Sequence, residues 1–405
     1  MEKSANEVMD YTQEQLRSLL FRHSHKTAPE YFTRESLLDF QNTALIILNM
    51  VKKSIKVEVM EFFYQTDKKV EAPSRQAFSQ AREKLSYTAF KDFFENTCEV
   101  AIKGEGSREY KGYRLFAVDG TSFIVGELNK LAGYFGLSTT LKDKAMCRIN
   151  GVVDVLNECI VNASVSPFCV GERALAIEQI EQLNGVGNAL YLFDRGYWSP
   201  KLVSDIVDNG QKFLMRLASN TGKISVSDID GNELRRYEFI LQSGEKEILL
   251  TNISEEEMTD AEIAALYAKR WGVETKYLEL KDRLQIDKFS GVSVNSVLQD
   301  IYSTLYISNL VAFICFEADE VVRKRTEGKG NKYGQKSNRT TCISTLRRRF
   351  VEICLIEDPE LSSAALKRLV NDISKDVTYV NKSKPKPRNK RQIKEARKRG
   401  FKAVL

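Results

Sequence analysis

Hydrophobic positions along the chain change their period twice. From residue 7 to about 103 they recur at helical spacing, with an apolar core signature across residues 37–48 and an amphipathic run over 75–85 that Pro73-Ser74 introduces as a helix start. Within that run Phe78, Ala81, Arg82 and Leu85 follow one helical face, leaving a small module that either docks on DNA or lies in solvent. Gly104-Glu105-Gly106-Ser107 reads as a linker. The pattern then shortens to buried strands: 113–118 ending at Asp119-Gly120, 122–125 returning as its partner, then 148–155, 159–165, 190–193 and 212–217. Helices are expected between them at 172–183 and 200–208. From residue 218 to 257 the texture becomes short β-prone runs separated by Gly222, Gly231 and Gly244, and it returns to helical spacing at 259.

That last return carries a polar stripe. Thr259-Asp260-Ala261-Glu262 has the spacing of a capping box, and Tyr267, Arg270, Glu274 and Lys281 then follow at intervals of three, four and seven. At about 100° per residue these four fall within an arc of roughly 60°. Leu266, Val273, Tyr277, Leu280 and Leu284 form the adjoining apolar face, so the stripe would run beside the core edge. Gly272 is the one local objection, costing about 1 kcal/mol inside a helix. Taken alone, the stripe is more readily a solvated helix face with incidental charges. A second apolar helix is expected at 297–316. A basic, glycine-punctuated segment at 323–334 lacks Walker spacing, and further helices fall at 343–356 and 362–373.

Charge is unevenly placed. Residues 382–405 hold eleven Lys or Arg and one Glu, so the rest of a chain with net charge +6 is net negative and cationic character is local. This tail is expected to be disordered when free and to grip phosphate, although an RNA-associating or solubilising role fits the same composition. No apolar run approaches the roughly 20 residues of a bilayer span, and no secretory signal is evident, so a cytoplasmic, nucleoid-associated protein without membrane contact is expected. Seven cysteines without Cys-x-x-Cys spacing suit free thiols, and the only histidines, His23 and His25, leave no zinc or His-based nucleophile system elsewhere.

Two strand ends and one helix each offer a carboxylate, in Asp119, Asp194 and Glu274. Each Asp singly is as much a turn residue as a ligand. Three converging carboxylates, however, are hard oxygen donors suited to Mg²⁺, with Mn²⁺ able to substitute, and two such ions would support an in-line phosphodiester displacement. Arg270 and Lys281 would hold phosphate oxygens, and Tyr267 would donate to the same backbone.

These residues together resemble bacterial insertion-sequence transposases of the DDE type, in the group marked by Tyr-x-x-Arg-x-x-x-Glu-x-x-x-x-x-x-Lys. Tyr267, Arg270, Glu274 and Lys281 match that signature at full spacing, while Asp119-Gly120 and Asp194-Arg195-Gly196-Tyr197 resemble the two upstream motifs. The resemblance implies an α/β fold with a ribonuclease-H-like mixed sheet and flanking helices, interrupted by a small β-rich insertion, with helical N- and C-terminal regions. The implied organisation is a helical DNA-binding region at 1–106, catalytic core at 107–217 and 258–317, insertion at 218–257, a basic helical region at 318–381 and the tail at 382–405. By the same likeness Asp119, Asp194 and Glu274 would be catalytic metal ligands, and Tyr267, Arg270, Lys281, Arg195 and Trp271 would contact DNA. The partners implied are terminal inverted repeats and target DNA, with the protein acting as a homodimer. The insertion has no Trp to stack a flipped base, which puts a hairpin route in doubt. A structure-specific nuclease on the same core and a non-catalytic domesticated repressor are the alternatives.

Overall fold

Six helices grow from the N-terminal apolar periodicity in the computed structural model, which describes residues 1, 3–50, 52–66, 70–126, 129–138, 144–218, 234–240, 246–329 and 333–380. They are α1 (Ser4–Arg17), α2 (Leu19–Ser24), α3 (Phe40–Asn49), α4 (Ile55–Thr66), α5 (Arg75–Glu83) and α6 (Thr88–Lys103). Ser18, Asp39 and Ser74 accept backbone N–H bonds at the starts of α2, α3 and α5, satisfying amides the helices leave without partners. Gly104 ends α6 in the left-handed conformation at φ 56°, where a residue without Cβ is favoured.

Next come β1 (Arg114–Gly126), α7 (Asn129–Phe135), β2 (Ala145–Asp154), β3 (Cys159–Pro167), α8 (Glu172–Gln182), β4 (Ala189–Phe193), α9 (Pro200–Asp208), β5 (Lys212–Leu217), β6 (Arg235–Ile240) and β7 (Lys246–Thr251). The seven strands form one mixed sheet in the order β3-β2-β1-β4-β5-β7-β6. β2 is antiparallel to β1 and β3, whereas β4 runs parallel to both β1 and β5. All five residues of β4 are buried, as an unbroken apolar run in a central parallel strand requires. β7 returns antiparallel to β5 and carries β6 on its outer side, so the described part of 218–257 extends this sheet.

One local expectation is corrected. β1 passes straight through Asp119-Gly120, and residues 122–125 continue it instead of folding back. The hairpin does not form because β2 supplies an antiparallel ladder along this whole stretch, pairing Asp119 with Gly151, Gly120 with Asn150 and Ser122 with Arg148. A second departure follows β7. Where one regular helix was expected, the chain makes α10 (Asp260–Tyr267), a 3-10 turn at Ala268–Arg270, α11 (Trp271–Leu278) and a π turn at Glu279–Arg283.

The described residues make two compact units, Met1–Gly106 with residues from Leu280 onward, and Ser107–Glu279. The first contains α12 (Val294–Thr326), β8 (Gly334–Ser337), α13 (Arg339–Leu355), α14 (Pro359–Ile373) and β9 (Val377–Val380), with β8 and β9 paired. α12 is long and apolar enough to cross a bilayer by length and composition, yet 94% of its apolar window is buried inside the protein, which is the property of a core helix. It runs on through Arg323, Lys324 and Arg325, cations suited to the negative end of a helix dipole. None of the seven cysteines forms a disulfide, and only Cys169 is exposed. The basic tail 382–405 lies outside the described residues.

A buried ion cluster fixes α12 in its unit. Asp300 meets Arg82 Nη2 at 3.1 Å and Lys52 Nζ at 3.7 Å, and it accepts the Ser290 N–H at 2.6 Å. Gln299 Oε1 accepts Arg82 Nε at 2.6 Å. Burial alone would raise the Asp300 carboxyl, but Arg82, Lys52 and Ser290 outweigh it and hold the group at about 2. Asp300→Ala should therefore cost about 3–5 kcal/mol at pH 7, since two buried cations lose their counter-charge. Urea unfolding would measure this, and a loss below about 1 kcal/mol would show that the cluster does not hold the unit together.

Candidate active site

The parallel ladder between β1 and β4 ends at the pair Val118 and Phe193. The next residue on each strand is an aspartate, Asp119 and Asp194, so register alone sets the two side by side at the carboxyl end of a parallel pair. Open α/β sheets place their sites at such ends. Each carboxylate accepts the N–H of the residue that follows it, Gly120 at 2.8 Å and Arg195 at 2.7 Å. Asp194 thereby caps the 3-10 turn Arg195–Tyr197. Tyr197, at the end of that turn, is buried and donates its hydroxyl to Asn150 Oδ1 of β2 at 2.8 Å.

Glu274 comes from α11, and three close approaches bring that helix onto the sheet. A Cβ at Gly272 would stand 2.8 Å from Val155 Cβ, and one at Gly151 would stand 3.0 Å from the Tyr277 hydroxyl. At Gly272 a Cβ would collide with Val155, and at Gly151 it would crowd the Tyr277 hydroxyl. Tyr277 donates its hydroxyl to the carbonyl oxygen of Asp119 at 2.5 Å, tying the helix to the β1 residue whose side chain faces the site. Burial, reinforced by the Asp119 charge, pushes the Tyr277 hydroxyl well above its ordinary value and keeps it a donor. The Gly272 objection raised by helix propensity is thus answered by packing. Upstream, the Glu262 carboxylate accepts the Thr259 N–H at 3.0 Å, as the capping-box spacing requires.

Arg270 joins the carboxylates. Its Nη2 lies 3.0 Å from Glu274 Oε1 and its Nη1 lies 3.8 Å from Asp119 Oδ2. The side chain is 7% exposed, and its Nε has no hydrogen-bond partner. Tyr267 is also buried, and its hydroxyl likewise has no partner. Burial would lower the Arg270 pKa, but Tyr267, Asp194, Asp119 and Glu274 together raise it. One guanidinium therefore pairs with two of the carboxylates, Asp119 and Glu274, and feels Asp194 through its charge. Asp119 is pushed up to about 6, chiefly by burial, with the Gly120 N–H and Arg270 opposing the rise and Asp194 and Glu172 adding to it.

The other expected residues are placed as follows. Arg195 is exposed on its 3-10 turn, and Trp271 is 48% exposed at the start of α11, with Arg270 Cζ 5.7 Å from its ring centroid. Lys281 lies in the π turn, so it does not continue the helical arc drawn through Tyr267, Arg270 and Glu274. His25 bonds Thr88 Oγ1 through Nδ1 at 2.9 Å. Sequence reasoning missed Glu172 and Arg148. Glu172 Oε1 sits 2.6 Å from where a Gly120 Cβ would be, and Arg148 Nε holds the same oxygen at 3.4 Å. Only the tertiary approach of α8 to β1 reveals that pair.

Among the described residues no group of three or more His, Cys, Asp or Glu side chains stands at metal-ligating spacing. The chemistry of the donor set nevertheless fits a hard divalent cation, because Asp119, Asp194 and Glu274 supply oxygens and more negative charge than Arg270 balances.

Residues 110–310 match the family described as Transposase DDE domain. The chain is 23% identical over 146 residues to "Putative transposase InsZ" of Escherichia coli (strain K12), a match covering 34% of this chain. It spans about half the length of that curated relative, 47%. Among solved structures it is similar to the cryo-EM structure of a piggyBac transposase synaptic complex with hairpin DNA, at a TM-score of 0.47 and 12% identity. That alignment covers 92% of this chain and 83% of the other.

The Asp119 carboxyl has a testable sign. Its folded value of about 6 lies above the ordinary 3.8, so its contribution to stability is present below pH 3.8 and is lost as pH rises through 6. Relative to the wild type, metal-free Asp119→Asn should gain up to about 3 kcal/mol between pH 4 and 7.5 in urea unfolding. A pH-independent difference would sink the assignment. Tyr277→Phe should cost about 1–3 kcal/mol by leaving a buried carbonyl short of a donor; stability equal to wild type would show that this hydrogen bond does not clamp α11.

Proposed function

The chain belongs, through residues 110–310, to the transposase DDE domain family, and from that membership we propose that it is an insertion-sequence DNA transposase cutting and joining DNA at the Asp119, Asp194 and Glu274 site. The observation that carries the reading is the register of the β1–β4 pair, which ends one residue before each aspartate, with Glu274 linked to Asp119 through Arg270. The strand order β3-β2-β1-β4-β5, antiparallel in its first three members and parallel thereafter, supports a ribonuclease-H-like core. β6 and β7 would belong to the insertion within it.

On this reading the three carboxylates hold Mg²⁺, with Mn²⁺ able to substitute. When bound, the cation would supply Lewis-acid polarisation of the scissile phosphate and activation of the attacking hydroxyl. The chain's own residues do the rest. Arg270 exchanges a carboxylate for a phosphate oxygen, since its planar fork suits either. The Tyr267 hydroxyl and Arg270 Nε, both without partners, give two further donors for a DNA end. Trp271 offers an exposed ring beside them for a terminal base, and Arg195 an exposed cation at the Asp194 turn. Lys281 contacts the backbone from the π turn. The substrate is the terminal inverted repeat, the second substrate is target DNA, and a homodimer would pair two ends.

Asp119→Ala, Asp194→Ala and Glu274→Gln should each reduce Mg²⁺-dependent cleavage of an inverted-repeat end at least 10³-fold, an effect on the order of 4 kcal/mol in the barrier, while gel-shift affinity for the end stays within about threefold. Normal cleavage by any one of them would falsify the shared site. Strand transfer by the wild type on the same ends separates a transposase from a nuclease, and absence of both activities would favour a repressor.

A further inference from the structure

The unit built from residues 1–106 and the chain after Leu280 contains a cavity of about 350 Å³ to which the function above assigns no role. Four cations line it, Lys53, Arg283, Arg347 and Arg348, against the two carboxylates Glu58 and Glu61. Lys53 is engaged by Glu61 at 2.6 Å, and Glu58 accepts the Lys53 N–H at 2.6 Å. Arg283 and Arg348 are exposed and make no ion pair among the described residues.

Arg347 is the unusual member. It is 7% exposed on α13 and donates Nη1 to the Leu48 carbonyl at 3.0 Å, yet its Nε has no hydrogen-bond partner. Burial weakens the hold of Arg347 on its proton, down to about 10, with Glu58 opposing. Arg283, Arg347 and Arg348 line the cavity together, and with Glu61 already engaged by Lys53 their three guanidiniums leave the lining with a surplus of positive charge. A cationic ligand would be repelled by three guanidiniums, and an apolar one would leave their surplus charge unanswered. A phosphate oxyanion meets both demands, because arginine forks match its oxygens.

We propose that this cavity binds a phosphate group through Arg347, Arg283 and Arg348, and that the group is a backbone phosphate of DNA. Its phosphate chemistry stands on the cavity alone, whereas DNA as the source rests on the transposase reading. Two of the three arginines are exposed, so they can be changed without disturbing the helical core.

The test compares the full-length protein with the double variant Arg283→Gln and Arg348→Gln, and with Arg368→Gln as a control that removes an exposed cation of the same unit outside the cavity. Two readouts are taken: the melting-temperature shift produced by inorganic phosphate, and the salt dependence of affinity for a short duplex of arbitrary sequence. The double variant should lose the phosphate-induced shift, bind duplex about tenfold more weakly and lose about one to two from its log–log salt slope, while the control changes neither by as much. Loss of the phosphate shift with an unchanged DNA slope would overturn DNA as the source. If neither readout moves, the phosphate site itself is overturned. Neither measurement involves cleavage, so failure of the cavity is distinguishable from failure of the transposase reading.

Discussion

The sharing of one guanidinium between Asp119 and Glu274, with Asp194 in its electrostatic field, is the constraint on which the candidate site depends. Three carboxylates cannot be held near one another in a half-buried setting without compensation, and Arg270, almost fully buried itself, supplies a single positive charge. Burial, with the charges of Asp194 and Glu172 adding to it, lets the Asp119 carboxyl retain its proton to about 6. The site is therefore left short of positive charge. On the proposed reading this is stability given up at a place where chemistry requires it, since replacing any one carboxylate with a neutral group would relieve the repulsion.

Geometry enforces that arrangement through backbone contact. Gly272 and Gly151 let α11 approach the sheet more closely than side chains would permit, and Tyr277 closes the approach by donating to the backbone of Asp119 itself. Glu274 lies one helical turn before Tyr277, so the same hydrogen bond that docks the helix fixes the height of the third carboxylate above β1. On the opposite side, Tyr197 and Asn150 hold the turn that Asp194 caps. Each acidic residue is thus positioned by a buried tyrosine a few residues downstream or across the sheet, which lets the acids remain partly solvated while their supports are not.

Much of this was legible because local rules and tertiary structure agree. The apolar runs at 190–193 and 212–217 became β4 and β5, and the spacing of Tyr267, Arg270 and Glu274 put them near one another. What the sequence concealed were effects of neighbours remote in the chain. Asp119-Gly120 looks like a turn, but β2 pairs through it and keeps it extended. Gly272 looks like a helix weakness, though Val155 makes it a necessity. Tyr277 looks like plain core because periodicity reports which face a residue occupies and not what its hydroxyl reaches. The even 100° arc also failed at both ends, since a 3-10 turn and a π turn change the angle per residue on either side of α11.

Two kinds of unmet demand coexist at this one place, and together they narrow what can occupy it. The carboxylates are short of positive charge, whereas the Tyr267 hydroxyl and Arg270 Nε are short of an acceptor. A cation alone would answer the first demand and sharpen the second, because it would compete with Arg270 for the carboxylates. An anion alone would satisfy the donors and be repelled by the acids. A divalent cation and a phosphate arriving together would answer both, Asp119, Asp194 and Glu274 holding the cation while the freed Arg270 guanidinium and the partnerless Tyr267 phenol hold the phosphate. On the proposed reading, then, binding of metal and of DNA end should be coupled through Arg270, which must leave one partner before it can hold the other.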